Sequence, residues 1–288
     1  MIIQLSVCIC TRNRPEDLEK ALNSIYKSSI PAYEIIVSDD STDARTREMI
    51  QHRFDNVIFT EGPRKGLCPN RNHILKQASG THLLFMDDDE VMDEQFIEML
   101  TLKMNQIDKL HREKVILTGI EYGHGVTKVY PKDQSFLGYQ TKVYKGTDKL
   151  NTVVLGSAIF PKTLFDLIHF DEQLVYGYDE VDISTRAVKY GYEILLCEEA
   201  FNNHYSSPVN RDFYKPVLEA SRFYVTFKRY AFTEKLMVKG YLFFITACGH
   251  MLLSDLKNKG FSGLKDATKT MNLSLEYIRK FRETEVNT

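Results

Sequence analysis

Glycine and proline are scarce in this 288-residue chain, at 15 and 8 residues, and charged residues make up 26%. Collagen-like chains contain far more glycine and proline, and disordered chains contain far fewer apolar residues. The hydrophobic content of 43% is enough to build a sizeable core. At about 150 residues per domain, the length predicts one large domain or two modest ones. The composition is therefore that of a globular protein.

Cysteine is also sparse, and its residues form an odd set without CxxC spacing. The five are Cys8, Cys10, Cys68, Cys197 and Cys248. The apolar start, MIIQLSVCIC, has no basic segment before it, so no signal peptide is expected. We therefore expect reduced thiols in a cytoplasmic protein.

Long uninterrupted hydrophobic runs are missing as well. The longest apolar stretch, residues 241–253, contains Gly249 and His250. It is shorter than the about 20 residues that cross a bilayer. The sequence thus predicts no transmembrane helix.

The net charge of −2 conceals two regions of opposite sign. Residues 211–288 hold 14 Lys and Arg against 8 Asp and Glu, which gives +6 there and −8 in residues 1–210. This asymmetry indicates an acidic working domain and a basic tail.

The first ninety residues alternate strand and helix patterns in the manner of βαβ units. Three buried runs end in the polar segments TRNR, SDDSTD and DDDE. Pro15 stands where one helix would begin, and Asn70 can cap another that Gly80 ends. Because ligands of open α/β sheets bind at the carboxyl ends of the strands, these polar ends predict one crevice.

Later patterns predict a helix over 93–110, strands over 115–120 and 153–160, and a helix over 180–190. From residue 211 onward only helical patterns occur. We therefore expect a boundary between residues 210 and 211.

Four consecutive acids follow the buried strand pattern at 82–86: Asp87, Asp88, Asp89 and Glu90. Like charges crowded at a strand end repel one another unless a positive group lies among them. A divalent cation fits this requirement, and carboxylate oxygens are typical ligands of Mg²⁺ and Mn²⁺. The alternative is a solvated acidic turn before the next helix.

With these motifs the sequence resembles the family 2 glycosyltransferases, which have a GT-A fold that binds a nucleotide-diphospho-sugar. The resemblance covers residues 4–205 and rests on five segments in the family's order: SVCICTRNRPEDLEKALNSI, YEIIVSDDSTD, GLCPNRNHILKQASGTHLLFMDDDE, VLGSAIFPK and FDEQLVYGYDEVDISTRAVKYGY. It implies an α/β fold with a Rossmann-like nucleotide-binding sheet flanked by helices. Residues 1–120 would form the nucleotide half, 121–210 the acceptor half, and 211–288 a helical C-terminal extension.

The resemblance also implies a donor site at the strand ends. Cys10, Thr11 and Arg12 would lie along the base and ribose of the nucleotide, or simply end a strand. Asp40 matches a carboxylate that accepts from the imide N–H of uracil or thymine, although it could instead start an Asx-turn. Arg71 matches a basic residue near the nucleotide, and its alternative is a solvated helix position.

A general base is implied in the segment YGYDEVDISTR, where the family has Glu-Asp and the second acid is the base of inverting members. Here the order is Asp179-Glu180, so an ungapped alignment makes Glu180 the base and leaves Asp179 as the alternative. Asp182 would be a structural or acceptor-binding acid. Acids are also frequent at helix N-termini, which explains Asp182 better than the adjacent pair.

The metal site implied by the resemblance centres on the DxD pair. Asp89 would be a metal ligand, Asp87 would reach the ribose or a metal-bound water, and Asp88 could share either task. His204 matches a histidine that completes the metal shell in many relatives, whereas a lone histidine is more often a satisfied surface residue. The implied cofactor is Mg²⁺ or Mn²⁺.

Gly156 and Ser157 match a glycine-containing turn near the donor sugar. Their alternative is ordinary strand packing around a small residue.

The implied reaction is metal-dependent, inverting transfer of a sugar from a nucleotide diphosphate, with UDP preferred, to a hydroxyl of a glycan or lipid-linked saccharide. A sugar nucleotidyltransferase would want a Gly-rich basic phosphate loop where this chain has TRNRPED. A catalytically silent sugar-nucleotide- or glycan-binding scaffold is the other alternative, and the swapped acid pair favours it.

The tail interleaves aromatic and basic residues, among them Phe213, Tyr214, Arg222, Phe223, Tyr224, Phe227 and Lys228. A helix with cations on one face and aromatics on the other can lie on an anionic membrane. The alternative is a helical cap on the catalytic domain or a homodimer contact. Nucleic acid is not expected as a partner, because the charge is mild and no binding motif accompanies it. The expected location is the cytoplasm, with peripheral contact at the inner membrane face.

Overall fold

The computed structural model describes residues 3–206 and 211–286, without the side chains of 211–215 and 285–286. The strands, in chain order, are β1 Leu5–Thr11, β2 Glu34–Asp39, β3 Val57–Glu61, β4 His82–Asp87, β5 Glu90–Met92, β6 Val115–Gly123, β7 Thr127–Val129, β8 Lys132–Gln134, β9 Gln140–Val143, β10 Ala158–Pro161 and β11 Glu193–His204. The α-helices are α1 Pro15–Tyr26, α2 Arg45–Arg53, α3 Leu67–Leu75, α4 Phe96–Asn105, α5 Asp179–Lys189, α6 Arg211–Lys228, α7 Met237–Lys259 and α8 Phe261–Val286.

One mixed sheet forms the centre of the fold, in the order β3-β2-β1-β4-β10-β6-β11-β5, with β7 paired to β6. Strands β1 to β4 pair in parallel, β10 runs antiparallel to both of its neighbours, and β6 pairs in parallel with β11. Strands β8 and β9 form a separate hairpin. The predicted α/β sheet is confirmed.

The parallel register brings the predicted strand ends together. Cys10 on β1 lies opposite Ser38 on β2 and opposite Asp87 on β4, and Thr11 lies opposite Asp39. Helix α1 begins at Pro15, which needs no N–H partner in the first turn, and buries Leu18, Ala21, Leu22 and Ile25 on one stripe. The polar segments predicted to meet therefore lie at one edge of the sheet.

Three local predictions are wrong, and the first is that Gly80 ends helix α3, which ends at Leu75. Helix α3 begins after Gly66, whose φ of 110° only glycine adopts readily, so Asn70 lies inside the helix instead of capping it. The Asn70 side chain binds Ser38 on β2, at 2.5 and 3.2 Å. The strand predicted over 153–160 is shorter, because Ser157 N donates to Val154 O and a 3₁₀ turn precedes β10.

Strand β11 is the longest strand described and had no counterpart in the sequence prediction. Its second half contains charged and amide residues, and its pairing with β6 shifts between Leu196 and Phe201. That irregularity breaks the alternation by which a strand is recognised.

The C-terminal helices pack on the part of the chain that contains the sheet, and share one hydrophobic cluster with it. Phe223, Tyr224 and Phe227 are buried in that cluster together with Phe85 and Phe160 of the sheet. These aromatics therefore do not form an outward face, as the membrane interpretation of the tail required. The side chains of Phe213 and Tyr214 lie outside the described residues, as do residues 207–210 just before the predicted boundary.

Helix α7 contains the apolar stretch of residues 241–253 but is longer than that stretch, at 23 residues. By length and composition alone it could cross a membrane. Its inner face packs on α6 and α8.

Candidate active site

The four acids after β4 are held by side chains of the neighbouring β1 end. Thr11 Oγ1 donates to Asp88 Oδ2 at 2.8 Å, and Arg14 Nη1 donates to Asp88 at 3.0 Å and to Asp89 at 2.9 Å. Arg14 supplies one positive group that the acidic run requires, and the sequence prediction had not assigned it a role. Arg12 is exposed beside it.

The acids differ in protonation because their surroundings differ. Burial raises the pKa of Asp88 to about 7, against the opposing effects of Arg14 and Thr11. Asp89 is also partly buried, but its bonds to His204 and Arg14 outweigh that burial and lower its pKa to about 2. Asp89 is therefore the more firmly ionised of the two.

Asp40 is buried beside the loop that follows β3. Its Oδ1 accepts from the Arg64 backbone N–H at 2.8 Å, and a Cβ on Gly62 would lie 2.2 Å from the same oxygen. The turn interaction with the Ser41 N–H belongs instead to Asp39, at 2.9 Å. The Asx-turn considered for Asp40 is thus made by its neighbour.

Arg71 lies on α3 with 3% of its surface exposed, so it is not a solvated helix residue. Its Nη2 donates to Asp87 Oδ1 at 2.9 Å, and its Nη1 contacts Asp179 on α5. Burial opposes the charge, but Asp179 and Asp87 more than offset it and raise the pKa of the guanidinium. Arg71 therefore joins the acidic segment at the end of β4 to the acid pair of α5.

A second cluster lies on the other side of Asp87. Asp87, Glu90 and His204 offer ligand atoms that all lie within 4.8 Å of one another. Asp89 Oδ1 lies 3.3 Å from His204 Nε2, and Glu121 Oε2 lies 3.3 Å from His204 Nδ1. The sequence assigned no individual role to Glu90, which was predicted only as part of the acidic run, and did not predict Glu121.

The register of the sheet places Glu90 in this cluster. Glu90 on β5 pairs directly with His204 on β11, and burial raises its pKa well above the usual range. Glu90 Oε2 has no hydrogen-bond partner among the described residues. Since β11 was not recognised from the sequence, this pairing was not foreseen.

The donor set fits a hard divalent cation. Carboxylate oxygens and one imidazole suit Mn²⁺, and carboxylates with substrate phosphates suit Mg²⁺. The unpartnered Glu90 oxygen is an acceptor that a cation would satisfy. Without a cation, burial opposes protonation of His204, but its bonds to Asp89 and Glu121 raise its pKa to about 11.

Gly156 lies in the turn before β10 and borders the Glu90 carboxylate. A Cβ at Gly156 would lie 1.8 Å from Glu90 Oε1, so only glycine leaves room for that carboxylate. Asn202 Nδ2 donates to Gly156 O at 2.5 Å. Ser157 Oγ and Asn202 Oδ1 have no hydrogen-bond partner among the described residues.

An open cleft of about 670 Å³ begins at Asp89 and Glu90 and runs along α1. Lys20, Lys27 and Tyr205 also line it. The cleft thus opens to solvent beside Asp89.

The acid pair begins helix α5 directly after Tyr178, whose φ of 65° is left-handed and uncommon for a side chain of its size. Asp179 forms an ion pair with Arg71. Glu180 accepts a hydrogen bond from the Gln140 side chain, while burial and then the charge of Asp179 raise its pKa to about 7. The two acids therefore have different environments, and Glu180 is the one suited to gain and lose a proton.

Asp182 lies on the inner side of α5 in a network of ion pairs. Arg186 Nε donates to it at 3.0 Å, and Lys228 Nζ lies 2.9 Å from it and 2.6 Å from Asp171. Of the two roles considered for Asp182, these contacts favour the structural one.

The chain belongs to glycosyl transferase family 2, because the sequence profile of that family matches residues 6–167, more than half of its length. The predicted resemblance is confirmed, and so is the GT-A fold.

Among curated relatives, the uncharacterized glycosyltransferase YwdF of Bacillus subtilis is 25% identical over 188 residues, which are 65% of this chain and 69% of that protein. A GalNAc(5)-diNAcBac-PP-undecaprenol beta-1,3-glucosyltransferase of Campylobacter jejuni is 35% identical over 112 residues, 36% of this chain and 35% of that protein. This match thus spans about a third of the Campylobacter protein.

Among solved structures, GalNAc-T7 with UDP, GalNAc and Mn²⁺ superposes with a TM-score of 0.61 at 15% identity. The match covers 89% of this chain and 58% of that one. At this identity the similarity concerns the fold.

Proposed function

We propose that this protein is an inverting glycosyltransferase that moves a sugar from a UDP-sugar to a hydroxyl of a lipid-linked saccharide, with the help of a divalent cation. The observation that carries the proposal is the contact of Arg71 with both Asp87 and Asp179. Through this contact, the acidic segment proposed to bind the nucleotide diphosphate and the acid pair proposed to remove a proton belong to one site.

The donor end is assigned to the edge formed by β1, β2 and β4. Cys10, Thr11 and Arg12 would lie along the nucleoside, and the buried carboxylate of Asp40 would accept from the imide N–H of uracil. Asp87 and Asp88 would bind on the ribose and diphosphate side, and Gly156 would leave room for the sugar. UDP is preferred because the GalNAc-T7 structure of the same fold holds it.

The cation would be held by Asp87, His204 and the carboxylates of Asp89 and Glu90 that flank His204. A bound Mg²⁺ or Mn²⁺ would stabilise, as a Lewis acid, the negative charge that the leaving diphosphate develops. The GalNAc-T7 structure contains Mn²⁺, which supports a cation of this type.

Glu180 is assigned as the general base. The acceptor hydroxyl gives its proton to Glu180 as its oxygen bonds to the anomeric carbon, and UDP leaves from the opposite face with the bonding electrons. A base with a pKa near 7 is effective at neutral pH, and the pKa of Glu180 is raised to about 7 by burial and Asp179. Asp179 forms an ion pair with Arg71 and is assigned as a positioning residue.

The acceptor class is inferred from the relatives. The Campylobacter protein is named for an undecaprenol-diphosphate-linked substrate, as is a glucosyltransferase of Escherichia coli that is 28% identical over 97 residues. A lipid-linked acceptor places the enzyme at a membrane surface. The five cysteines are free and buried, which is consistent with the cytoplasmic side.

The test is transfer of labelled sugar from a panel of UDP-sugars to a short-chain polyprenol-diphosphate saccharide, with Mn²⁺, with Mg²⁺ and with EDTA. We expect transfer with a metal, at least a hundredfold less with EDTA, and an inverted anomeric configuration by NMR. Glu180→Gln should still bind UDP with Mn²⁺ but not transfer. Tight UDP binding without transfer to any acceptor would instead favour the silent scaffold.

A further inference from the structure

Helix α7 carries an apolar face that no described part of the chain covers. Val238, Leu242, Ile245 and Leu253 recur at helical spacing, so they share one side, and they are 83, 54, 69 and 71% exposed. We call these four residues the outer face of α7. On the other side of the helix, Phe243 is fully buried.

The exposed apolar surface continues past the end of the helix. Phe261, the first residue of α8, is 86% exposed, and Leu236 just before α7 is half exposed. Single apolar residues at a protein surface are ordinary, but a row of them along one helix marks an interaction site.

Basic residues border this row. Lys235 precedes α7, Lys257 lies in its last turn, and Lys265 lies one turn after Phe261 in α8. None of these three lysines forms an ion pair with another described residue. An apolar helix face with free cations at its ends complements an anionic bilayer surface.

The position of α7 relative to the site supports the same partner. The His250 ring lies 6.4 Å from the ring of Tyr139, measured between centroids. Tyr139 adjoins Gln140, whose side chain bonds the proposed base Glu180. Helix α7 therefore lies beside the acceptor end of the site.

We propose that the outer face of α7 docks the protein on an anionic lipid bilayer, with the helix lying in the headgroup region. This assignment rests on the proposed function in one respect: docking would bring Glu180 to an acceptor carried by a lipid. It gives the enzyme a defined orientation on the membrane.

Two other occupants fit the contacts less well. Crossing the bilayer would remove Phe243 and Met251 from their packing against α6 and α8. A second copy related by a twofold axis would place this face against itself and bring the lysines of one copy near those of the other. The bilayer surface satisfies both the apolar row and the cations.

The experiment is co-sedimentation of the full chain with vesicles made of phosphatidylcholine and phosphatidylglycerol in equal amounts, and with phosphatidylcholine alone. We expect binding to the mixed vesicles, at least tenfold weaker binding to phosphatidylcholine, and at least tenfold weaker binding of the double variant Ile245→Gln/Leu253→Gln. Lys257→Gln/Lys265→Gln should weaken binding mainly at low salt. Leu110→Gln, which changes a 91% exposed leucine far along the chain, is the matched control and should bind as the wild type does.

Several results would overturn this assignment. Wild-type protein that stays in the supernatant, or an Ile245→Gln/Leu253→Gln variant that binds equally well, would remove the docking surface. A wild-type dimer that this variant dissociates in analytical ultracentrifugation would assign the face to a second copy. Binding that resists alkaline carbonate and yields only to detergent would indicate a spanning helix.

Failure of the proposed function is distinguished by an assay without a membrane. Transfer to a short-chain acceptor in detergent should be unchanged in Ile245→Gln/Leu253→Gln. If the wild type binds mixed vesicles but transfers no sugar in detergent, the docking surface stands and the proposed function fails.

Discussion

Arg71 contacts Asp87 with one guanidinium nitrogen and Asp179 with the other, and it does so while almost fully buried. The two carboxylates come from different parts of the sheet edge, β4 and the start of α5. A planar guanidinium can hold both at once, which a lysine ammonium cannot do in the same geometry. The contact therefore sets the distance between the donor end and the proposed base.

Replacing Arg71 with Met should impair both stability and activity. The change leaves two carboxylates without their buried partner, and breaking a buried ion pair costs about 3–5 kcal/mol. We expect a clear drop in the thermal unfolding midpoint and at least a hundredfold loss of transfer. Arg71→Lys should recover most of the stability but little of the transfer. Arg53→Met, which removes an exposed ion pair with Glu19, is the control and should leave both unchanged.

The pH dependence of transfer should report on Glu180. Only the ionised carboxylate can accept a proton, and burial with the charge of Asp179 raises its pKa to about 7. The rate constant kcat/KM should therefore rise with pH through about 7 and level off above it. Asp179→Asn removes one cause of the raised pKa, so the rise should move to lower pH, even though overall activity falls.

Stability provides an independent check on that assignment. A carboxyl group whose pKa is raised by folding contributes stability at low pH, which is lost as the pH rises through the folded-state pKa. Glu180→Gln should therefore raise the unfolding midpoint relative to the wild type more at pH 8 than at pH 5. An unchanged difference between these pH values would contradict the buried, raised-pKa environment of Glu180.

The proposed cation site can be tested by Mn²⁺ binding without turnover. His204→Gln and Asp87→Asn should each weaken Mn²⁺ binding by at least about 10–100-fold, which is the loss typical of mutating even an outer-shell partner of a metal ligand. Because His204 is protonated in the metal-free protein and must lose that proton to bind, affinity should rise with pH. Electron paramagnetic resonance of free Mn²⁺ measures this directly.

Comparison of Asp89→Asn with Glu90→Gln decides which flanking acid is the ligand. The variant that removes the ligand should lose Mn²⁺ affinity as His204→Gln does. Glu94→Gln, nearby on the surface, should not change it. If all four site variants bind Mn²⁺ like the wild type, the cation site is wrong.

Gly156→Ala should disturb the site through Glu90. The added methyl group would lie 1.8 Å from Glu90 Oε1, so the carboxylate or the turn must move. We expect at least a tenfold loss of transfer and of Mn²⁺ affinity, with partial recovery in Gly156→Ala/Glu90→Asp because the shorter side chain makes room. Gly249→Ala, with nothing within 4 Å of the new atom, is the matched control and should be silent.

The strand-end part of the site could be predicted because it depends on local pattern. A buried run followed by polar residues places Thr11, Asp40 and Asp87 at one edge whenever the strands are parallel. Glu90 was predicted only as part of the acidic run, because its individual role depends on pairing with His204 across β5 and β11. The local sequence does not indicate with which strand the three-residue strand β5 will pair.

The C-terminal helices show a different limit of sequence reasoning. Aromatic and basic residues alternate there so closely that helical periodicity does not separate an inner from an outer face. Phe223 and Tyr224 are buried against the catalytic part, while the exposed apolar row belongs to α7. Whether a residue of these helices is buried or exposed depends on which surface the sheet leaves uncovered, and that is a property of the whole fold.

Lys228 tests whether those helices are part of the catalytic unit. Its ammonium lies 2.6 Å from Asp171 and 2.9 Å from Asp182, and the three side chains are at most 10% exposed. Lys228→Met should destabilise the protein by about 3–5 kcal/mol, because it leaves two buried carboxylates with fewer partners. Denaturant unfolding followed by both circular dichroism and UDP binding should show one transition shifted to lower denaturant. Lys280→Met, which removes an exposed pair with Glu276, should not shift it. Two separate transitions would mean that residues 211–288 fold apart from the site.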